Sequence, residues 1–337
     1  MSQIGLDIGS KTIKIVELDK EAKGFRLKAA GVVGHNGKPI ETMESEADFA
    51  ALSQIVAKLH KETKIQGREI SLALPEPQVF TRIIRFPMLT DQEISSSVKW
   101  EAEQYIPIPV NEAIVQHQIV ERNERSIPPE VLVLLVAAPK TLVDKYIKIV
   151  QMAKLQVVQV ETELMSLTRA LAPIDQTALI IDFGAKSTDI AVSKKGQLFF
   201  SRSIPTAGDA LTRAVAQSLG VEHGQAEQYK KTYGFSGSQL EGKVKGALDP
   251  VFAMIADEIK KAIHFYRSEE KGDVPKSVIV SGGTSGTPEA ISILTGLLNM
   301  EVSVGNAFRK VILDEATSKS LAPYAPLYSV AVGLALK

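Results

Sequence analysis

One short pattern occurs twice in this chain and constrains what it can become. Asp7-Ile8-Gly9-Ser10-Lys11-Thr12-Ile13-Lys14-Ile15 and Asp182-Phe183-Gly184-Ala185-Lys186-Ser187-Thr188-Asp189-Ile190 both read Asp-x-Gly-x-Lys-[Ser/Thr]-x-x-Ile, 175 residues apart. Each follows an apolar run and precedes another, so each predicts a β-hairpin with glycine in its turn. Glycine lets the backbone approach a ligand closely. The free N–H groups of such a turn, with the Ser and Thr hydroxyls, can cradle phosphate oxygens. The preceding Asp is a hard oxygen ligand that can hold Mg²⁺ through water, because Mg²⁺ keeps much of its hydration shell. Two such hairpins facing across a cleft would grip one nucleotide from both sides. A single Asp-x-Gly turn is ordinarily no more than a turn. Its recurrence at a domain-sized interval is what points to a ligand.

Composition narrows the classes. The 337 residues are enough for two domains with a large core. Lys plus Arg and Asp plus Glu both number 39, which argues against a broad nucleic-acid footprint. There is no cysteine, hence no disulfide and no thiol-ligated metal. The apolar N-terminal stretch carries Asp7 and Lys11, unlike a signal peptide. The longest apolar run, 131–138, is closed by Pro139 and falls far short of the ~20 residues of a membrane span.

Apolar spacing then orders the elements. Strands are predicted over 4–8, 12–18 and 25–33, a helix over 47–60 and a buried strand over 70–74. From 79 to 154 the order is β-α-β-β-α. Its first helix opens on the capping box Thr90-Asp91-Gln92-Glu93 and is stopped by Pro107 and Pro109. The three strands of this segment, 79–86, 113–120 and 131–138, should leave an exposed edge and a helix–sheet groove. A strand over 156–160, a helix over 161–171 and a strand over 197–203 flank the second motif. Asp249-Pro250 reads as the cap and first residue of a further helix. The segment 327–336 closes the chain as a helix. The five histidines are scattered, without ligand spacing.

Three further groups suit a nucleotide. Gly208 opens a helix whose N-terminus can meet phosphate oxygens, or is simply a capped turn. Glu227 and Lys230 share a helical face and can reach a ribose or a base, or pair with each other. Gly282, Gly283 and Thr284 lie between a strand and a helix, a general nucleotide arrangement that is weak alone.

The paired loops resemble the two phosphate loops of the actin/Hsp70/sugar-kinase superfamily, 5–18 being the first and 180–192 the second. That resemblance implies an α/β chain with the actin-like ATPase fold, two RNase H-like domains around a nucleotide cleft. It makes 281–286 the adenosine loop. In that superfamily the helix connecting the domains presents an acidic or amide side chain to the attacking water. Glu163, and after it Glu161, are thereby the candidate catalytic carboxylates. Otherwise they are N-terminal helical acids favoured by the macrodipole.

The inserted segment is the more specific part. Its order resembles the 1C subdomain of FtsA and of the PilM family of type IV pilus assembly proteins. Phe86-Pro87-x-x-Thr90-x-x-Glu93, Trp100-Glu101-Ala102-Glu103-Gln104-Tyr105-Ile106-Pro107 and the ending Val330-Ala331-Val332-Gly333-Leu334-Ala335-Leu336 are similar to the PilM family. Two features depart from the pattern. Ala185 stands where many actin-like proteins have a second glycine, and Val160-Glu161-Thr162-Glu163 only approximates the family's Asp-Val-Glu. The resemblance implies a first domain of 1–78, 155–190 and 320–337, a 1C insertion of 79–154 and a second domain of 191–319. It implies ATP and Mg²⁺ in the cleft, with weak or no hydrolysis. It also implies a cytoplasmic chain held at the inner membrane through a partner, the N-terminal peptide of PilN. PilO and PilP follow through PilN, and pilus motor ATPases are further contacts. Tyr105, Ile106, Pro107 and Ile108 are candidates for the peptide groove by position and apolar character, or are core. Two alternatives stay open. One is an FtsA-like membrane-associated polymer, whose usual amphipathic anchor is not expected here. The other is a small-molecule kinase, which needs a polar pocket with an Asp base.

Overall fold

Apolar runs broken by glycine turns become strands, and amphipathic runs become the helices that cover them. The computed structural model describes residues 2–268 and 272–337. The chain opens with β1 (Ser2–Ile8), β2 (Thr12–Glu21), β3 (Gly24–Gly34), α1 (Glu46–Glu62) and β4 (Glu69–Leu74). Next come β5 (Phe80–Pro87), α2 (Asp91–Glu103), β6 (Ala113–Asn123), β7 (Glu130–Pro139) and α3 (Lys140–Met152). β8 (Gln156–Thr162) and α4 (Glu163–Leu171) lead to the second hairpin, β9 (Ala178–Phe183) and β10 (Thr188–Lys194). β11 (Gln197–Ile204), α5 (Gly208–Leu219), α6 (His223–Tyr233) and α7 (Lys243–Ser268) follow. The chain ends with β12 (Ser277–Ser281), α8 (Ala290–Leu298), β13 (Val302–Val304), β14 (Val311–Ile312), α9 (Glu315–Leu321) and α10 (Ser329–Ala335).

The strands form three sheets, of order β14-β3-β2-β1-β4-β8, β11-β10-β9-β12-β13 and β5-β7-β6. The first is covered on both faces. Ile13 and Ile15 of β2 pack with Phe49, Leu52 and Val56 of α1 and with Tyr146, Ile149 and Val150 of α3. Val16 and Leu18 face Tyr328, Ala331, Val332 and Ala335 around α10. The small sheet is also covered on both faces, which explains the unbroken apolar run of β7. Ile84, Phe86, Val131, Val133 and Leu135 lie under Ile94, Val98 and Ala102 of α2. On the other side Leu134, with Ile83, Val120 and Val136, meets Leu164 and Leu167 of α4 and Ala191 and Leu198 of the second sheet. Helix α4 therefore packs against all three parts of the molecule.

Packing departs from the linear reading at four places. Helix α3 joins the core of the six-stranded sheet, not the insertion. The β9–β10 hairpin is central to the five-stranded sheet. Strand β14 returns the chain to the first sheet beside β3, ahead of residue 320. Helix α7 begins at Lys243, and Pro250 lies inside it. The buried stripe Val244, Leu248, Phe252, Ile255 and Ile259 runs through the proline, so apolar burial outweighs the one backbone N–H it removes. Asp249 accepts from Lys245 at 2.5 Å instead of capping a helix. The capping box at Thr90 forms as expected, Glu93 N–H donating to Thr90 Oγ1 and Thr90 N–H to Glu93 Oε2.

Candidate functional site: a cleft between two hairpins

Both motifs form hairpins with the same closure. Gly9 N–H donates to the Thr12 carbonyl at 3.1 Å, and Gly184 N–H to the Ser187 carbonyl at 3.0 Å. The N–H groups of Ser10, Lys11, Ala185 and Lys186 donate to no acceptor among the described residues. Both turns line one cavity of about 1020 Å³, together with the starts of α4, α5 and α6, the glycine turn after β12, and residues 323–327.

The ladder register puts a second charged residue opposite each motif Asp. Asp7 is paired with Lys14, and Asp182 with Asp189. Lys14 Nζ donates to Asp7 Oδ2 at 2.9 Å, with both side chains buried. Burial works against the Lys14 charge, but Asp7 outweighs it, helped by Asp182 and Glu163, and holds the ammonium pKa above its usual value. The second hairpin has no such compensation. Burial, then the Asp189 charge beside it, pushes Asp182 up to about 7. Burial also lifts Asp189 to about 6, against the nearby Ser203 hydroxyl and the Ser187 hydroxyl, which donates to Oδ2 at 2.7 Å. Asp189 Oδ1 is buried without a hydrogen-bond partner among the described residues.

Glu163 completes the acidic cluster. It is the first residue of α4, because Thr162 takes the N-cap position and its hydroxyl accepts from Met165 N–H. Its Oε2 accepts Glu76 N–H at 3.3 Å. Burial, followed by the charges of Asp7, Asp189 and Asp182, pushes its carboxyl well above the usual range. Glu76 sits on the short turn between β4 and β5, and burial raises it to about 7 despite hydroxyls of Ser201, Thr162 and Thr81. Among the described residues no group of three or more His, Cys, Asp or Glu is placed to hold a metal directly.

The start of α5 serves the second hairpin rather than open space. Gly208 N–H donates to the Gly184 carbonyl at 3.2 Å, and Asp209 N–H to the Ala185 carbonyl at 2.8 Å. A Cβ on Gly208 would lie 2.6 Å from Thr284 Oγ1, so only glycine fits. Lys230 is 4% exposed. Its ammonium donates to the Gly208 carbonyl at 3.0 Å and to Thr212 Oγ1 at 2.9 Å, and pairs with Glu227 Oε2 at 2.7 Å. All three of its donors are thus spent, two of them on bracing α6 to α5. Burial tends to raise Glu227, but Lys230 and the Thr212 hydroxyl pull it down to about 2. Gly282 has φ 85°, and a Cβ there would stand 2.4 Å from the Phe183 carbonyl oxygen and 2.5 Å from Asp182 Oδ1. The glycine turn can close on the second hairpin only without a side chain.

The residues read from the two motifs, from Gly208, Glu227 and Lys230, and from Gly282 to Thr284 all line this cavity, as does Glu163. Glu161 does not. It is the penultimate residue of β8, one before the cap, and is held by Arg169 at 2.6 Å and 2.7 Å and by Lys337 at 3.6 Å. Tyr105, Ile106, Pro107 and Ile108 lie beyond the end of α2, in the insertion. Ile106 is core, Tyr105 is half-buried with Arg82 4.5 Å over its ring, and Pro107 is exposed. Lys14 and Asp189 went unassigned from sequence. The signal was present, since the closed turn between Gly9 and Thr12, repeated at Gly184 and Ser187, makes the residue seven places after each Asp its cross-strand neighbour.

A family profile described as type IV pilus assembly protein PilM matches residues 5–337. A solved PilM-PilN type IV pilus biogenesis complex contains a chain of 26% identity and TM-score 0.85, covering 99% of this chain and 97% of that one. MreB 5 of Spiroplasma citri bound to AMPPNP has the same fold at TM-score 0.58 and 14% identity, over 98% of this chain and 94% of that one. The cell division protein FtsA of Staphylococcus epidermidis is 24% identical over 253 residues, 68% of this chain and 54% of that protein. The chain thus spans about half the length of that curated relative.

Proposed function

The chain belongs to the family of type IV pilus assembly protein PilM, and on that premise we propose that it is an ATP-binding adaptor whose inserted subdomain carries a peptide of the pilus machinery. The observation that carries the nucleotide half is the pair of opposed turns with unspent N–H groups lining one cavity. The residues present fit a metal–nucleotide complex better than a bare polyphosphate. Burial holds Asp182, Asp189 and Glu163 above the usual carboxylate range, and Lys14 is a cation beside Asp182 and Glu163 within the cluster. Mg²⁺ carried in by the nucleotide would favour the ionised forms of these carboxyls and offset part of the phosphate charge, which a bare polyphosphate cannot do.

In this reading the turns at Ser10–Lys11 and Ala185–Lys186 hold phosphate oxygens, with the Thr12 and Ser187 hydroxyls beside them. Asp182, which has no hydrogen-bond donor among the described residues, meets the hydrated metal, and Asp7 stands behind it with its charge already shared with Lys14. Gly282, Gly283 and Thr284 flank the nucleoside. Gly208, Glu227 and Lys230 keep the second hairpin and α6 in place around it. Glu163 is the carboxylate positioned to orient water. Its raised pKa and its tie to Glu76 N–H suit slow turnover or none.

The partner half rests on similarity to the chain solved with PilN. The partner in this reading is the N-terminal cytoplasmic peptide of PilN, which connects the chain to PilO and PilP at the inner membrane. Pilus motor ATPases are further contacts. The chain itself stays cytoplasmic, and no helix among the described residues is long and apolar enough to cross a membrane. The peptide-bearing unit is residues 79–139, since α3 packs with the six-stranded sheet. Tyr105, Pro107 and Ile108 contribute to its groove, and Ile106 supports them from the core. Helix α4 links the two halves, with Glu163 in the cleft and Leu164 and Leu167 against Leu134 of the insertion. Nucleotide binding thereby biases the insertion's orientation.

Calorimetric titration of Mg·ATP into wild type, Asp182→Ala and Asp7→Asn tests the site. Each substitution is expected to weaken binding, Asp182→Ala by about 2 kcal/mol, the scale of a lost charged contact. Unchanged affinity in both removes the assignment. Titrating the PilN peptide with and without ATP tests the link, which must be reciprocal. Equal peptide affinity in the two states removes it.

A further inference from the structure

We infer that Tyr324 is the nucleobase platform of this cleft, the surface on which a purine ring stacks and the reason the site reads a nucleoside rather than any metal–polyphosphate. The inference rests on the nucleotide reading above and adds the residue that recognises the base.

Tyr324 lines the same cavity as the two hairpins. Its side chain is conspicuously unused. The residue is 56% exposed, and it makes no hydrogen bond or aromatic contact among the described residues. Tyr328, one turn further on, shows the ordinary fate of a tyrosine in this segment. It is buried and packs on Phe308 at 5.8 Å between ring centroids. A large ring left open beside a cavity costs apolar exposure that the fold does nothing to relieve.

The backbone beneath Tyr324 is held rigidly. Pro323 and Pro326 fix two φ angles within the short helical segment 322–328. The Pro326 carbonyl accepts Gly282 N–H at 3.2 Å, the Ser281 hydroxyl at 2.8 Å and the Ser329 hydroxyl at 3.1 Å. The tyrosine is thus pinned to the glycine turn, which itself abuts Asp182 of the second hairpin. A chain of contacts connects the phosphate-facing hairpin to the backbone that carries the ring. Gly224, in the first turn of α6, also lines the cavity, and a Cβ there would meet nothing within 4 Å. The cavity wall is therefore open at that position. A braced backbone lowers the cost of ordering this segment when a ligand stacks on the ring.

Stacking of a base on an aromatic residue tolerates any base, because every base has a π-face. Tyr324 should therefore strengthen ATP and GTP alike and leave magnesium tripolyphosphate untouched. The test titrates Mg·ATP and magnesium tripolyphosphate into wild type, Tyr324→Ala and Tyr324→Phe, with a thermal melt of each protein. The expected result is ATP affinity lowered roughly ten-fold by Tyr324→Ala and retained by Tyr324→Phe, with tripolyphosphate affinity the same in all three. Equal ATP affinity in wild type and Tyr324→Ala overturns the assignment. So does an equal loss for ATP and tripolyphosphate, which would mark Tyr324 as a support of the cleft's shape. A wild type that binds no ATP ends the nucleotide reading and this inference together. A wild type that binds ATP with Tyr324→Ala unimpaired ends this inference alone.

Discussion

The two hairpins share a motif, a turn and a closing hydrogen bond, yet differ in one cross-strand residue. Opposite Asp7 stands Lys14, and opposite Asp182 stands Asp189. The first hairpin is neutralised from within its own ladder, while the second carries two carboxylates in register. Like charges directly opposite each other are unfavourable in a ladder, so the second hairpin relieves the pair by holding protons, with Asp182 pushed up to about 7 and Asp189 to about 6. The comparison indicates a division of labour. The first hairpin is an autonomous, charge-balanced floor, and the second is the half that added positive charge completes.

The largest effect that could break this comparison is at Lys14. Lys14→Met would leave Asp7 buried without a partner, with an expected cost of about 3 kcal/mol or more in urea unfolding. A loss below about 1 kcal/mol would mean that Asp7 finds water or another donor, and the first hairpin would not be the self-sufficient one.

A smaller effect should sharpen the second hairpin. Asp182 and Asp189 both hold their protons more tightly in the folded state than in the unfolded chain, with values of about 7 and about 6 against an ordinary 3.8. Their contribution to stability is therefore full at low pH and is lost as pH rises from about 4 through about 7. Asp189→Asn should flatten that dependence, recovering on the order of 1–2 kcal/mol near pH 8 relative to pH 5. Denaturant midpoints across that range decide the matter. An unaltered slope would assign the dependence to the other buried carboxyls, Asp182, Glu163 and Glu76.

The smallest effect concerns a contact between the first hairpin and α5. Lys11 Nζ lies 3.8 Å from Asp209 Oδ2 across the cavity, with side chains 45% and 23% exposed. Lys11→Ala should change unfolding free energy by less than about 0.5 kcal/mol and should do so less at high salt. A larger, salt-independent loss would show the two hairpins to be mechanically joined without ligand.

Local chemistry was legible in the linear chain to the extent that it acts over a few residues. The twin turns, the capping box at Thr90 and the helix over 47–60 all appear as expected. The cavity gathers the motif residues that turn chemistry singles out. Misreadings occurred where two local signals competed or a distant element intervened. At Pro250 a good helix-start dipeptide lost to an apolar stripe extending back to Val244. At Glu161 and Glu163 the cap moved by two residues, because Thr162 makes the N-cap hydrogen bond, and that sent one acid to Arg169 and the other to the cleft. The start of α5, expected to offer its N–H groups to a ligand, gives two of them to the Gly184 and Ala185 carbonyls.

By itself the sequence determined the hairpins, the helices that flank them, the β-α-β-β order of the insertion and most of the residues that meet in the cleft. Glycine placement, capping and periodicity are short-range causes. Only the tertiary structure decided which sheet each strand joins, that α3 leaves the insertion for the first sheet, and that α4 lies against all three parts of the molecule. It also decided that Lys230 is wholly consumed by its neighbours while Tyr324 is left open. Those outcomes depend on which distant surfaces bury one another and which polar groups find partners there, and no window of neighbouring residues contains that information.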